Sequence, residues 1–310
     1  MKSLLQAAGL GVLLAVSTSL AAQWPDYPDP SVPKLPNGEP NLEAPAPRTA
    51  DGKPDLSGVW GLGRGGGGGG GGGGNRGQQG ARGGARGGAQ PAAPAAAPPA
   101  AAATPAAQAT PALPADGIPN ATFFEIAGRG FPVPYTPWAK ELRDKRAAAN
   151  AKDNPDAHCL PIGLTQMHLH PQPRKIIQTP KLIVMLYEAQ AGVRQIFLDG
   201  RKSPANDPQP WWYGYSVGHW EGDTLVVETT GFRDDVWLDV NGSPLTETGK
   251  MVERMRRVNY GTLETIVTIE DPKAYTKPFS VRIMHRLMPN TELIEFICNE
   301  NEQSSAHYDK

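Results

Sequence analysis

Aromatic residues are absent from residues 61–118, although they make up 7% of the 310-residue chain. This stretch contains a run of ten glycines at 65–74, followed by Gly/Arg/Gln-rich and Ala/Pro-rich repeats. Such a composition offers too little apolar side chain to offset the conformational entropy lost on ordering. We therefore predict a long disordered linker with a stiffer, Pro-rich second half, and we expect function to reside in the rest of the chain.

Long apolar runs are also missing beyond the N-terminus. The one run at residues 4–16 follows Lys2 and precedes the small residues Ser19 and Ala21, which is the layout of a secretory signal peptide. It is shorter than the ~20 residues of a spanning helix. We predict a signal peptide at 1–21, a periplasmic or secreted product and no membrane span in the mature chain.

The chain carries no large excess of charge, with 30 basic and 31 acidic residues. Without Lys2 and the charged linker residues, 25 basic and 30 acidic residues remain, a net charge of about −5. Such a body does not attract nucleic acid by its overall field. We expect a small-molecule partner and no nucleic acid.

Only two cysteines occur, Cys159 and Cys298, and they do not form a Cys-x-x-Cys motif. An oxidising compartment favours a disulfide between them over two buried thiols. We expect this disulfide to tie the first strand of the folded region to the last.

The chain beyond the signal peptide divides into segments of distinct composition. Residues 22–50 are dense in proline and predict an extended arm. Residues 51–60 contain a first strand that needs a partner in the downstream body. Residues 119–303 form the predicted β-rich domain and 304–310 a tail. Thr136 followed by Pro137 predicts one helix near 137–150, before Asn154 and Pro155.

Apolar and β-branched runs separated by short turns indicate hairpins and a mainly β, antiparallel fold. Closure into a barrel, or alternatively a two-sheet sandwich, removes the sheet edges. We predict the barrel. The predicted strands are 175–178, 181–188, 193–198, 212–220, 224–230, 252–260, 262–269, 279–287 and 292–298.

Several blocks carry a resemblance to an uncharacterised family of secreted bacterial β-rich proteins. They are QIFLDGR at 195–201, GHWEGDTLVVET at 218–229, ERMRR at 253–257 and EFICNEN at 295–301. The resemblance brings no activity with it. Separately, the sequence Gly58-Val59-Trp60 ahead of a β-meander is similar to the opening of lipocalins, and this implies a lipocalin-like or calycin-like barrel that holds a small apolar molecule.

His168 and His170 are one residue apart in a predicted extended segment, so both imidazoles would share one face. Two such histidines are a common nucleus of a metal site, with His285, His219 or Glu188 as a third ligand. The alternative is a pair of polar residues at a strand end before Pro171. The cofactor expectation is therefore open: none, or a divalent metal.

Aromatic residues concentrate at Trp212, Tyr213 and Tyr215, where they can line a ligand cleft or simply fill the core. His219 follows on the face predicted for Tyr215 and gives, with His285, a candidate catalytic acid or base. Glu221 either accompanies His219 or only begins a turn.

Arg254 and Arg256 share a strand face and could clamp a carboxylate or phosphate. The alternative is cross-strand pairing with Glu264 or Glu228. Nucleotide-binding loops and serine-nucleophile elbows are absent from the sequence, which disfavours those chemistries.

Three functional hypotheses follow. The leading one is a binding barrel for a small, partly apolar molecule. The second is an enzyme, either metal-dependent through His168, His170 and His285 or a metal-free lyase, isomerase or hydrolase. The third is a structural envelope protein in which the linker acts as a spacer.

Overall fold

The computed structural model describes residues 27–63, 115–128, 130–204 and 209–300. The predicted signal peptide, linker residues 64–114 and the predicted tail lie outside the described residues.

Two α-helices and eleven β-strands make up the regular structure of the described chain. The helices are α1 (Pro137–Ala148) and α2 (Leu164–Leu169). The strands are β1 (Gly58–Leu62), β2 (Arg174–Gln178), β3 (Leu182–Tyr187), β4 (Val193–Phe197), β5 (Tyr215–Glu221), β6 (Thr224–Thr230), β7 (Val236–Trp237), β8 (Pro244–Leu245), β9 (Lys250–Asn259), β10 (Thr262–Glu270) and β11 (Phe279–Leu287).

Nine strands close into a barrel in the order β1-β11-β10-β9-β6-β5-β4-β3-β2, while β7 and β8 form a separate hairpin. The predicted mainly β barrel is confirmed. Eight neighbouring pairs are antiparallel, but β4 and β5 are parallel, with Ile196 opposite Ser216. This pair departs from the wholly antiparallel barrel expected, because β5 does not follow β4 through a tight hairpin turn.

Strand β1 closes the barrel by pairing with β11 on one side and β2 on the other. Trp60 lies opposite Leu287 and Arg174 in these two ladders. The expectation that the strand before the linker pairs with the downstream body is therefore confirmed. Both edges of β11 are thereby occupied, by β1 and β10, and no edge remains for a further strand. Residues 292–298, predicted as a strand, are accordingly irregular.

Helix α1 begins as predicted: the Thr136 hydroxyl accepts a hydrogen bond from the Ala139 amide, and Pro137 is its first residue. Helix α2 was not expected. All six of its residues are buried, and it ends at Leu169, followed by His170, whose extended backbone precedes Pro171. The predicted extended segment is therefore wrong at His168, which is helical, although His170 itself is extended.

Buried apolar side chains form two clusters that α2 joins. Leu164 and Leu169 belong to the cluster with Phe232 and Val267. Met167, from the same helix, belongs to the cluster with Trp60. Side chains of α2 therefore occupy part of the barrel interior, where the lipocalin resemblance implied a bound small molecule.

The disulfide between Cys159 and Cys298 is present and spans 139 residues. Cys159 follows the 3-10 turn Pro155–His158, and Cys298 lies in a turn after β11. The predicted pairing is confirmed, but the bond joins two loops, and the expectation that it ties strand to strand is wrong.

The Pro-rich arm lies on the barrel over its described part. The carbonyl oxygens of Leu42 and Ala44 accept hydrogen bonds of 2.7 Å from the amides of Gly261 and Tyr260, in the β9–β10 turn. Arg48 pairs with Asp223 at the β5–β6 turn. The arm thus covers two barrel turns, and it is not extended throughout, since turns bend it and Lys34 forms a bridge with Pro40.

The residue before α2 packs tightly against β7. A Cβ on Gly163, the residue before α2, would lie 2.1 Å from the Trp237 carbonyl oxygen, although its φ of −59° suits any residue. We expect Gly163→Ala to lower the free energy of unfolding by at least about 2 kcal/mol in urea denaturation, through overpacking alone. Gly61→Ala is the matched control, since its nearest neighbour is the flexible end of Met288. Equal midpoints for the two variants would contradict this packing.

Candidate functional site

Four strands each place one ionisable side chain inside the barrel. These are Arg174 in β2, Arg194 in β4, Glu253 in β9 and His285 in β11, each at most 2% exposed. Helix α2 adds His168, which is 1% exposed. We call these five residues the buried polar layer. Each strand residue faces inward because apolar residues two positions away do so, namely Ile176, Ile196, Met251, Met255, Ile283 and Leu287.

Arg194 and Glu253 form an ion pair at the centre of this layer. Nη1 of Arg194 donates to Oε1 of Glu253 at 3.1 Å, and Nη2 makes a close contact with Oε2. The remaining guanidinium donors reach Ser216 and Thr229, each at 3.0 Å. Burial raises the pKa of the Glu253 carboxyl, but Arg194 and His168 outweigh it and bring the pKa below its usual range. The pair is charged and fully hydrogen-bonded.

His168 links this ion pair to Arg174. Its Nε2 lies 2.9 Å from Oε1 of Glu253, and its Nδ1 lies 3.2 Å from Nη1 of Arg174. A carboxylate only accepts and a guanidinium only donates, so Nε2 carries the proton and Nδ1 accepts. Burial lowers the pKa of His168 despite the opposing bond to Glu253. The imidazole is neutral, and both of its nitrogens are occupied.

Arg174 also binds His285. Its Nη1 donates to the carbonyl oxygen of His168 at 2.8 Å and lies 2.6 Å from Nε2 of His285. The same Nε2 also lies 2.9 Å from the carbonyl oxygen of His168, so it meets both a guanidinium donor and a carbonyl acceptor. Burial, and then the charge of Arg174, hold the pKa of His285 well below its usual range. His285 is therefore a neutral imidazole.

Several polar atoms near this layer have no hydrogen-bond partner within the described part of the chain. They include Nε and Nη2 of Arg174 and Nδ1 of His285. On α2, both side-chain amide atoms of Gln166 are in the same state, as is the hydroxyl of Thr265 on β10. Buried polar groups without partners are uncommon in native proteins and indicate a ligand, an ion or a structural water.

A second feature is a surface recess of about 600 Å³ beside α1. Trp212 and Trp237 line it, together with aliphatic and charged side chains such as Leu142, Lys145, Arg146 and Asp235. The Arg146 guanidinium carbon lies 4.3 Å from the centre of the Trp237 ring. The Arg233 guanidinium similarly lies 4.4 Å from the Trp212 ring. The recess therefore combines aromatic walls with fixed positive charges.

The predicted aromatic cluster separates into three environments. Trp212 faces the recess. Tyr213 packs against the apolar cluster around Trp60, and its hydroxyl is buried without a described partner. Tyr215 stacks on Phe197 at a ring distance of 5.2 Å. Of the three, Trp212 lines the recess.

The outward residues of β5 and β9 form exposed ion pairs. Arg254 donates to Glu221 at 2.9 Å and Arg256 to Glu264 at 3.2 Å, so neither guanidinium is directed at a common ligand. His219 lies 3.2 Å from the same Glu221. The pairing of Arg256 with Glu264 is the alternative weighed from the sequence, and Arg254 finds Glu221 in place of Glu228.

His170 points away from the buried polar layer. Its Nε2 lies 3.7 Å from Asp156, and its ring meets Phe123 edge to face. Across the described ranges, no group of three His, Cys, Asp or Glu side chains could hold a metal ion. The two guanidinium groups beside His168 also disfavour a cation at that imidazole.

No protein-family model matches the chain, and neither does any curated protein or solved structure.

The alternation of apolar residues along β9 and β11 could have revealed part of the buried polar layer from the sequence. Glu253 lies two positions from Met251 and Met255, and His285 lies two positions from Ile283 and Leu287. Residues two apart in a strand share a face, so both are inward-facing. Sequence reasoning selected the outward Arg254 and Arg256 instead. Arg174 and Arg194 were missed because a charged residue near a strand end is typical of the surface.

The neutral state of His285 predicts a pH dependence. As pH falls below about 6.5, the unfolded imidazole gains a proton that the folded one does not, so stability decreases. His168 contributes in the same direction. We expect His285→Gln to reduce the slope of unfolding free energy between about pH 5 and 6.5 by up to about 1.4 kcal/mol per pH unit, measured by urea denaturation. His219→Gln, the same substitution at an exposed position, is the control. An unchanged slope in His285→Gln would refute the assignment.

Proposed function

We propose that this protein is a periplasmic or secreted barrel that binds a small, partly apolar molecule in the recess beside α1. The recess carries the proposal. Its volume of about 600 Å³ falls within the ~300–1,000 Å³ typical of small-molecule sites. Trp212, selected from the sequence as a ligand-binding residue, is one of its walls.

The lining defines the chemistry of the ligand. Flat apolar groups can stack on the partly exposed ring of Trp212 and contact the aliphatic side chains of Leu142 and Leu160. Lys145, Arg146 and Lys152 also line the recess and favour an acidic group on the ligand. Asp153 and Asp235 offset part of this charge, so a single carboxylate fits better than a phosphate. A ring-bearing monocarboxylic acid is the class that matches this lining.

Binding accounts for the observations better than turnover. His285 is buried, with Nε2 held by Arg174, and His219 is exposed beside Glu221 without lining the recess. Neither of these two imidazoles therefore meets a bound molecule in the recess, as general acid or base catalysis requires. His158 does line the recess, and its Nε2 is engaged at 2.8 Å by the carbonyl oxygen of Lys152. The metal-dependent alternative lacks a converging ligand set in the described chain.

Export is supported by two observations. The Cys159–Cys298 disulfide suits an oxidising compartment, and the N-terminal sequence has the layout of a signal peptide. Neither α1 nor α2 has the length and apolar character that a membrane crossing requires.

A thermal-shift screen of aromatic acids, sterols and sugars tests this proposal, since a ligand of the folded state raises the melting temperature. We expect hits among aromatic acids, and we expect Trp212→Ala to weaken their affinity at least tenfold in calorimetric titration, as loss of a stacking wall does. Trp138→Ala is the matched control, because Trp138 lies on α1, which borders the recess, but does not itself line it. Equal affinity in both variants, or no hit at all, would refute the recess as the binding site.

A further inference from the structure

We propose that the buried polar layer binds a small monovalent anion, a halide or a short carboxylate, against the free edge of Arg174. This site lies inside the barrel and is independent of the recess and of the function proposed for it.

The charges of the layer carry the first step. Arg194 and Glu253 neutralise each other, while His168 and His285 are neutral. Arg174 forms no ion pair with any carboxylate of the described residues. Glu188 follows Tyr187, the residue opposite Arg174 on β3, and its carboxylate accepts a hydrogen bond from the Ile294 amide. The layer therefore holds one positive charge in excess.

One edge of the Arg174 guanidinium has hydrogen-bond donors that are unpartnered among the described residues. Arg174 uses only Nη1, which contacts the carbonyl oxygen and Nδ1 of His168 and Nε2 of His285. Its Nε and Nη2 form the other edge of the guanidinium, which is the edge that grips a carboxylate with two parallel hydrogen bonds, and both atoms are buried without a described partner. Nδ1 of His285 is a further buried nitrogen in the same state.

An anion satisfies this site in a way that water cannot. Water can accept hydrogen bonds from Arg174, but it leaves the charge of the guanidinium uncompensated in a medium of low polarity. Burial already lowers the pKa of Arg174 to about 10, with the ring of Tyr187 in partial opposition. A single negative charge restores neutrality, whereas a divalent anion would reverse the sign of the excess.

The surroundings limit the size of the anion. Tyr187, Met185 and Leu263 belong to one buried apolar cluster, and Val267 and Ile283 belong to the other. The guanidinium carbon of Arg174 lies 6.0 Å from the centre of the Tyr187 ring, so buried apolar surface borders the site. Chloride, bromide and formate are of the class that such a site accepts.

Anion-dependent stability is the test. Full-length protein is exchanged into sodium gluconate, whose anion is too large for an enclosed site, and melted with increasing chloride, bromide or formate at constant ionic strength. We expect the melting temperature to rise by roughly 5 °C at about one hundred times Kd. A rise with halides alone assigns a halide site, and a rise with formate alone assigns a carboxylate site.

Arg174→Met removes the charge and keeps the length of the side chain, and we expect it to abolish the rise. Arg256→Met, at an exposed arginine, is the matched control and keeps it. The proposal is overturned if wild-type protein melts at the same temperature in all these salts, or if Arg174→Met retains the rise. Should Arg174→Met fail to fold, crystals of the wild type soaked in bromide decide in its place. An anomalous peak at Nε and Nη2 of Arg174 supports the site, and its absence there overturns it.

Discussion

The ion pair of Arg194 and Glu253 lies where water cannot reach it, and the arrangement of the barrel interior depends on it. Removing two charges from water is costly, and the cost is recovered only if every donor and acceptor finds a partner. Here the partners come from separate elements: Ser216 from β5, Thr229 from β6 and His168 from α2. The pair therefore fixes the register of several strands and the position of a helix at once.

Helix α2 follows from this constraint. A six-residue helix has little stability of its own, and its local sequence does not predict it. It is held because its apolar residues enter both buried clusters and because His168 bridges Glu253 and Arg174. Gly163, just before α2, lies against the carbonyl of Trp237 in β7, and the Trp237 side chain lines the recess. The interior and the recess are thus two consequences of one packing arrangement.

Much of the architecture could be predicted from the sequence. The run at residues 224–230 and that at 279–287 match β6 and β11, and the proline after Thr136 marks the start of α1. Period-two alternation and N-capping are local properties, so a single sequence reveals them. The disulfide was predictable from the number of cysteines, although not from their location in loops.

The site was harder to predict, because it depends on contacts between distant residues. Arg174 and His285 are 111 positions apart, and only barrel closure brings them together. The aromatic run at Trp212, Tyr213 and Tyr215 looked like one cluster, yet turn geometry sends the three rings to three environments. Strand parity could have revealed Glu253 as inward-facing, but the excess charge on Arg174 becomes evident only when the neighbours of every buried group are known.

A double-mutant cycle on Arg194 and Glu253 tests the central claim most directly. We predict that Arg194→Met and Glu253→Met each lower the free energy of unfolding by about 3–5 kcal/mol, because each leaves one buried charge without its partner. We predict that the double variant loses much less than the two single losses combined, since no unpaired charge remains from this pair. Losses that simply add, measured by urea denaturation, would contradict the view that this ion pair organises the interior.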